Sequence, residues 1–273
     1  MLDKEKKLIN IIRQLDSVVI GFSGGVDSTL MVHLCIKHLG LNDVWVVTAN
    51  SKSTMPEEIK FCKKMMTKMG IPKDHFTIIN TNELDDQNYT SNPENRCYFC
   101  RRELFGKLKK YAREVGAKNI VDGSNASDLT DYRPGMKAKN EFEVRSPLAE
   151  AGFTKRDVRN LAKRSGLTNW DKPATPCLSS RIPYHSKITL KKLEQIATAE
   201  RLLKNLGFKQ VRVRHHDHIA RLEIEDFELL LKNGIKEKIN EKLKKAGFTY
   251  VAVDLGGFRS GSLNDAIKEK RKR

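Results

Sequence analysis

Apolar residues recur along this chain in two alternating rhythms. Leu8, Ile11, Ile12 and Leu15 fall at helical spacing and predict an amphipathic lead-in helix over residues 1–15. A β-rich apolar run follows, Val18-Val19-Ile20-Gly21-Phe22, and then a helical pattern over Thr29-Leu30-Met31-Val32-His33-Leu34. Further strands are expected at 44–49, 76–79 and 119–123. One intervening helix opens at Pro56 and stops at Gly70 and Pro72; another runs from Arg102 to Glu114. Strands alternating with helices at this spacing predict an α/β fold with a parallel, doubly wound sheet. The rhythm changes in the Pro-, Ser- and Thr-rich stretch from Gly166 to Lys187, which reads as a long connecting loop. Beyond it, a helix over 189–206, strands at 211–214 and 220–224, helices at 227–231 and 236–246 and a strand at 250–254 make a smaller α+β unit. Two domains are expected, 1–180 and 181–273, with no internal repeat.

Composition narrows the class. At 273 residues and 39% hydrophobic, the chain is long enough for one large core or two smaller ones. No run approaches the roughly 20 apolar residues of a membrane span. Met1-Leu2-Asp3-Lys4-Glu5 does not have the form of a signal peptide, so a cytoplasmic enzyme with no membrane partner is expected. The formal charge of +17 calls for an anionic partner, either phosphorylated small molecules or nucleic acid. Basic residues are spread along the whole chain, and the dense run at 268–273 reads as a solvated tail.

The chemistry begins at Ser23-Gly24-Gly25-Val26-Asp27-Ser28, set between a strand and a helix. A strand that turns through two glycines into a helix points free N–H groups, and the positive end of the helix dipole, at whatever sits above the turn. Ser23 and Ser28 add hydroxyls; Asp27 beside phosphates requires a Mg²⁺ ion between them. There is no Walker lysine. The string resembles the PP-loop of the ATP pyrophosphatases, whose adenine nucleotide alpha hydrolase-like fold that resemblance implies here. Such enzymes cleave ATP between its α and β phosphates, adenylate an oxygen of the substrate and let a nitrogen or sulfur nucleophile displace AMP. In open α/β sheets ligands lie at the carboxyl ends of the strands. That places the nucleotide among the PP-loop, Ala49-Asn50-Ser51 and Asp122-Gly123-Ser124-Asn125, with Ala49 and Gly123 small enough to lie near an adenine ring.

Five cysteines in such a protein argue for thiol or metal chemistry rather than disulfides. Cys35 and Cys62 sit among helical apolar neighbours and read as buried small hydrophobes. Cys97 and Cys100, in Asn95-Arg96-Cys97-Tyr98-Phe99-Cys100-Arg101-Arg102, and Cys177, in Thr175-Pro176-Cys177-Leu178, are expected in loops. Three thiols are one short of a closed zinc site, for which His185 is a candidate fourth ligand. They also suit a 4Fe-4S cluster with one open iron, and the C-x-x-C alone is a candidate redox pair.

Longer motifs extend the comparison: NPENRCYFC at 92–100, DGSNASDLTDYRPG at 122–135, SPLAEAGFTKRDVR at 146–159, KPATPCLSSRIPY at 172–184, RVRHHDHIARLEI at 212–224 and DLGGFRSGSLN at 254–264. On these, over nearly its whole length, the chain resembles the LarE sulfur transferases, which help build the nickel-pincer cofactor of lactate racemase. The resemblance implies ATP- and Mg²⁺-dependent adenylation of a carboxylate of pyridinium-3,5-biscarboxylic acid mononucleotide, then replacement of the adenylated oxygen by sulfur. In one branch the sulfur comes from a cysteine matched here by Cys177. The presence of Cys97 and Cys100 as well points to a branch carrying a 4Fe-4S cluster on Cys97, Cys100 and Cys177. Arg212 and Arg214 alternate on one strand, share a face and suit a substrate phosphate and carboxylate. Ser180, Arg181, Glu200 and Glu223 match family positions at the substrate site. His215, His216 and His218 read as a solvated turn. A sulfide donor and a homo-oligomer, trimer or hexamer, are implied partners.

Three rival functions follow from the same residues. A cluster-dependent tRNA thiolase fits the cysteines and the charge, although no RNA-binding module is evident and nucleic acid is not favoured. A non-catalytic sulfide carrier is opposed by the intact Asp27 and Ser28. An amide-forming synthetase lacks a glutaminase domain to supply ammonia.

Overall fold

The computed structural model describes residues 2–128, 135–259, 261–265 and 267. The basic run at 268–273 and part of the 122–135 motif lie outside the described residues. The chain divides into two compact units: Met1–Tyr89 with Asn95–Thr175, and Thr90–Glu94 with Pro176–Arg273. The division falls at 175/176, and it hands the short 90–94 segment to the second unit.

The first unit runs α1 (Leu2–Arg13), β1 (Val18–Gly21), α2 (Val26–Leu39), β2 (Val44–Ser51), α3 (Pro56–Lys68), β3 (Phe76–Thr81), one-turn α4 (Gln87–Thr90, ending at the join), α5 (Arg96–Glu114), β4 (Asn119–Val121), α6 (Gly135–Glu141), α7 (Pro147–Glu150) and α8 (Lys155–Arg164). Its four strands are all parallel, in the order β3-β2-β1-β4. Apolar on both sides, β1 lies at the centre, as a buried parallel strand must. Val18 and Ile20 pack into a core with Leu8, Ile12, Leu30, Met31 and Val158, whereas Val19 joins Phe105, Leu108 and Ala138 on the opposite face. Helices therefore cover both faces, and the doubly wound expectation holds. The chain walks from β1 outward to β3, then returns to place β4 on the other side of β1, so the strand order reverses between β1 and β4. That reversal opens a ligand crevice at the carboxyl ends of these two strands. It sets the glycine turn after β1 beside Asp122 and Gly123 after β4.

The second unit holds α9 (Leu190–Asn205), β5 (Val211–His216), β6 (Ile219–Ile224), α10 (Phe227–Leu231), α11 (Ile235–Lys245) and β7 (Tyr250–Val253). β5 and β6 form an antiparallel hairpin through Asp217 (φ 53°), and β7 lies parallel to β6. One face packs Val211, Val213, Leu222 and Ile224 against Leu203, Ile239, Leu243 and Phe248. The smaller α+β unit is thus as expected.

His215 departs from its expected place in a turn. It lies on β5, 2% exposed, tilted against Phe248 and bonded through Nε2 to Gln195 Oε1 at 3.1 Å. Burial, then the Lys192 ammonium, pushes its pKa down to about 4 from an ordinary 6.5. Below about pH 6.5 the unfolded chain takes up a proton that the folded chain refuses until about pH 4. The fold therefore loses stability as pH falls through that window. His215→Phe is expected to flatten the fall of the thermal midpoint between those pH values, measured by circular dichroism.

Candidate active site

The glycine turn is built for close approach. Gly24 has φ +71°, a left-handed conformation costly for other residues, and a Cβ there would meet Cys62 Sγ and the Phe61 ring at 3.0 Å. The loop's carbonyls are engaged within the unit: Asn169 Nδ2 donates to Gly24 O at 3.2 Å, and the Thr29 and Ser28 hydroxyls donate to Gly25 O at 2.9 and 3.1 Å. Gly25 caps α2 without any side-chain cap. The first-turn N–H groups, which have no intrahelical acceptor, are the donors such a turn offers an anion. Ser23 and Ser28 hydroxyls lie 3.2 Å apart at this mouth.

Gly123 serves the same turn from the β4 side. A Cβ on it would fall 2.7 Å from Ser28 N and 2.9 Å from Ser28 Cα, so its bareness is required by packing against α2. Ala49 is half-buried near the end of β2. Just beyond, the Ser51 and Ser53 hydroxyls donate to the buried Glu83 carboxylate. Asp122 fixes the turn that carries Asn125: it accepts from Ser124 Oγ at 2.7 Å, Ser146 Oγ at 2.6 Å and the buried Lys139 ammonium at 3.1 Å. Burial pushes its pKa up, but Lys139, the two serines and Arg101 together outweigh that and hold it below the usual carboxylate range.

Asp27 stands in the first turn of α2. Asn125 Nδ2 donates to its Oδ1 at 3.0 Å, and the Lys155 ammonium pairs with its Oδ2. Asp27, Asn125, Ser23, Gly24, Gly25, Ser28 and Gly123 are thereby brought together. This donor set, with its glycine cradle and uncapped helix, fits a magnesium-bound triphosphate. Lys155 was not singled out from the sequence; 128 positions separate it from Asp27, and only the fold joins them.

The cysteines sort by burial. Cys35 and Cys62 are buried, and burial pushes their thiols up to about 12 and about 11. Cys97 and Cys100 are not in a loop. α5 begins at Arg96, six residues ahead of expectation, with Asn95 at its N-cap. Its first turn therefore carries both, three positions apart on one face, Cys97 exposed and Cys100 half-buried. Cys177, exposed, caps the short 3-10 turn Leu178–Arg181. No group of three His, Cys, Asp or Glu side chains able to hold a metal stands together among the described residues.

In the second unit the charged residues expected at the substrate are buried rather than facing water. Arg181 Nε and Nη2 donate to Glu200 at 2.8 and 2.9 Å, while its Nη1 donates to Pro176 O at 2.7 Å and Cys177 O at 3.1 Å. Arg214 makes the equivalent two-point pair with Glu223, both bonds 2.9 Å, and also binds Ser180 O. Ser180 Oγ donates to Cys177 O at 2.8 Å. Glu200 and Glu223 are 1% and 0% exposed, and such two-point pairs hold their geometry firmly. Together they anchor the backbone of the Cys177 segment. Arg212 differs. It lies over the Phe258 ring at 4.7 Å, and no carboxylate among the described residues pairs with it. Burial, then repulsion from Arg214 and Arg181, lowers its pKa. Of the two arginines on β5, Arg212 is the one with no carboxylate paired to it among the described residues; its Nη1 donates to Arg259 O at 3.4 Å.

Comparison with known proteins adds one family match and three relatives. A family model described as NAD synthase matches residues 6–123. The chain is 43% identical over 268 residues to an uncharacterized protein of Synechocystis sp., covering 96% of this chain and 98% of that one. It is 37% identical over 264 residues to the pyridinium-3,5-bisthiocarboxylic acid mononucleotide synthase of Lactiplantibacillus plantarum, covering 97% and 95%. A tRNA-specific 2-thiouridylase MnmA of Limosilactobacillus fermentum is 31% identical over 192 residues, covering 57% of this chain and 49% of the enzyme. No helix among the described residues is long and apolar enough to cross a membrane.

Proposed function

The chain belongs to the pyridinium-3,5-bisthiocarboxylic acid mononucleotide synthase family, the LarE sulfur transferases, and from that premise we propose that it is an ATP-dependent sulfur transferase acting on a pyridinium dicarboxylate mononucleotide. The observation that carries the reading is the Gly24–Gly25 turn with Asp27 held at its rim, a site suited to Mg²⁺ and ATP. The first unit binds the triphosphate through α2's first-turn N–H groups and the Ser23 and Ser28 hydroxyls. Asp27 would hold a magnesium ion, which when bound would offset charge on the phosphates. A carboxylate oxygen of the substrate attacks the α-phosphorus, the α–β bond breaks, and pyrophosphate leaves. A carboxylate oxygen is a poor leaving group until this step makes it part of an acyl phosphate. A sulfur nucleophile then attacks the acyl carbon, and AMP departs with the original oxygen, leaving a thiocarboxylate.

The second unit supplies the thiol and the anion receptor. Arg181–Glu200 and Arg214–Glu223 position the Cys177 segment, and Arg212 takes the substrate phosphate. Arg212→Ala is expected to raise KM for the dicarboxylate mononucleotide by roughly 10- to 100-fold, as for loss of a charged hydrogen bond, with kcat little changed. An unchanged KM removes Arg212 from the substrate. Cys97, Cys100 and Cys177 are assigned as thiolate ligands of a 4Fe-4S cluster; supporting this are the shared helix face of Cys97 and Cys100 and the neighbouring Arg101 and Arg102. The cluster, when bound, would supply a renewable sulfide.

ATP–pyrophosphate exchange tests the whole. Exchange that depends on both Mg²⁺ and the dicarboxylate supports adenylation; exchange without the dicarboxylate, or none with it, overturns it. A tRNA thiolase is the lesser reading, because the resemblance to such an enzyme spans only about half of each chain.

A further inference from the structure

Lys155 occupies the first position of α8, where its N–H donates to Ser127 Oγ at 3.1 Å. The helix start is pinned by a reciprocal capping box between Thr154 and Asp157. From this fixed base a flexible four-carbon stem carries the ammonium to Asp27 Oδ2, while Asn125 holds Oδ1. The acidic residue of the glycine turn is therefore already neutralised by a cation of the protein's own. A divalent metal entering the inner coordination of Asp27 needs the oxygen that Lys155 occupies. The two cations cannot share that oxygen at contact distance without strong repulsion. The Lys155 side chain is 38% exposed, so its ammonium, once displaced, stands at the rim of a turn suited to several phosphate charges. A lysine there is a natural phosphate partner.

Resting on the ATP reading above, we infer that Lys155 is an exchangeable counter-ion of the nucleotide site. It holds Asp27 while the site is empty, yields that carboxylate to the divalent cation arriving with ATP, and then binds the triphosphate itself. Two consequences follow: the empty protein binds divalent metal weakly, and Lys155 contributes to nucleotide affinity.

The test uses the full chain with Lys155→Met and Lys155→Arg. Mn²⁺ is titrated into nucleotide-free protein and followed by the electron paramagnetic resonance signal of the free ion; Mg-ATP affinity is read by calorimetry. Lys155→Met is expected to tighten Mn²⁺ binding and weaken Mg-ATP binding, each by about tenfold, the scale of one charged contact. The added Mn²⁺ affinity should vanish when Asp27→Asn is combined with it. Lys155→Arg, which keeps the charge, should retain weak Mn²⁺ binding, and circular dichroism reports that each variant is folded. Wild-type protein that binds Mg-ATP beside a Lys155→Met variant with unchanged Mn²⁺ or Mg-ATP affinity overturns the counter-ion role alone. Wild-type protein that binds no Mg-ATP overturns the nucleotide reading and this inference with it.

Discussion

Asp27→Asn is expected to lower pyrophosphate release by about 10²–10³-fold, the scale for removing one preorganised electrostatic group from a reacting centre. The substitution keeps the side chain's size and its contact with Asn125 but deletes the charge that a magnesium ion needs. The fold should survive. Asp27 and Lys155 are both partly exposed, so losing their ion pair costs about 1 kcal/mol or less. Pyrophosphate release measured with the dicarboxylate present, beside a thermal melt, separates the two effects. Normal turnover in a folded Asp27→Asn variant would remove the metal role assigned to this carboxylate.

Cys177→Ala is expected to do the opposite. Adenylation should continue, because the first unit contains the whole glycine turn and the carboxylate that serves it. Thiocarboxylate formation should cease, because the exposed thiol on the anchored 176–181 segment is gone. ATP–pyrophosphate exchange with no sulfur-containing product is the expected result. Sulfur transfer at the wild-type rate would show that Cys177 neither donates nor holds the sulfur. Iron and acid-labile sulfide in the same anaerobic preparations decide between sulfur sources. About four irons per chain, lost in Cys97→Ala, support the cluster. Iron-free protein that turns over once and loses sulfur from Cys177 makes that residue a consumed donor.

Much of the first unit was legible because its signals are local. Val18-Val19-Ile20, apolar and β-branched at every position, reads as a strand covered on both faces, and the two glycines after it announce a turn that approaches a ligand closely. Local signals failed at Cys97 and Cys100. Pro93, Asn95 and the C-x-x-C spacing look like a loop, yet Asn95 caps a helix that packs Phe105 and Leu108 under the sheet and so runs back to Arg96. Long-range pairing was out of reach altogether. Alternation puts Arg212 and Arg214 on one face but cannot say which of them holds Glu223; the β5–β6 register sets Glu223 opposite Arg212, yet its carboxylate pairs with Arg214 on the diagonal. His215 is buried because β5 runs on to His216, past the expected 211–214, and alternation then puts His215 on the face of Val211 and Val213, against Phe248, rather than in the expected turn. Asn92 belongs with the second unit for a similar reason: its Nδ2 donates to Pro183 O at 2.7 Å and Ser186 O at 3.0 Å, across more than ninety positions. Lys155 and Asp27 are the functional instance of this blindness, since neither residue's neighbourhood in sequence mentions the other.

The most direct measurement is mass spectrometry of the pyridinium dicarboxylate mononucleotide after incubation with the protein, ATP, Mg²⁺ and sulfide, with AMP and pyrophosphate quantified alongside. The expected result is one carboxylate oxygen exchanged for sulfur, with AMP and pyrophosphate formed in step and nothing formed without ATP. An unchanged dicarboxylate, or ATP cleaved to ADP and phosphate, would contradict an adenylating sulfur transferase.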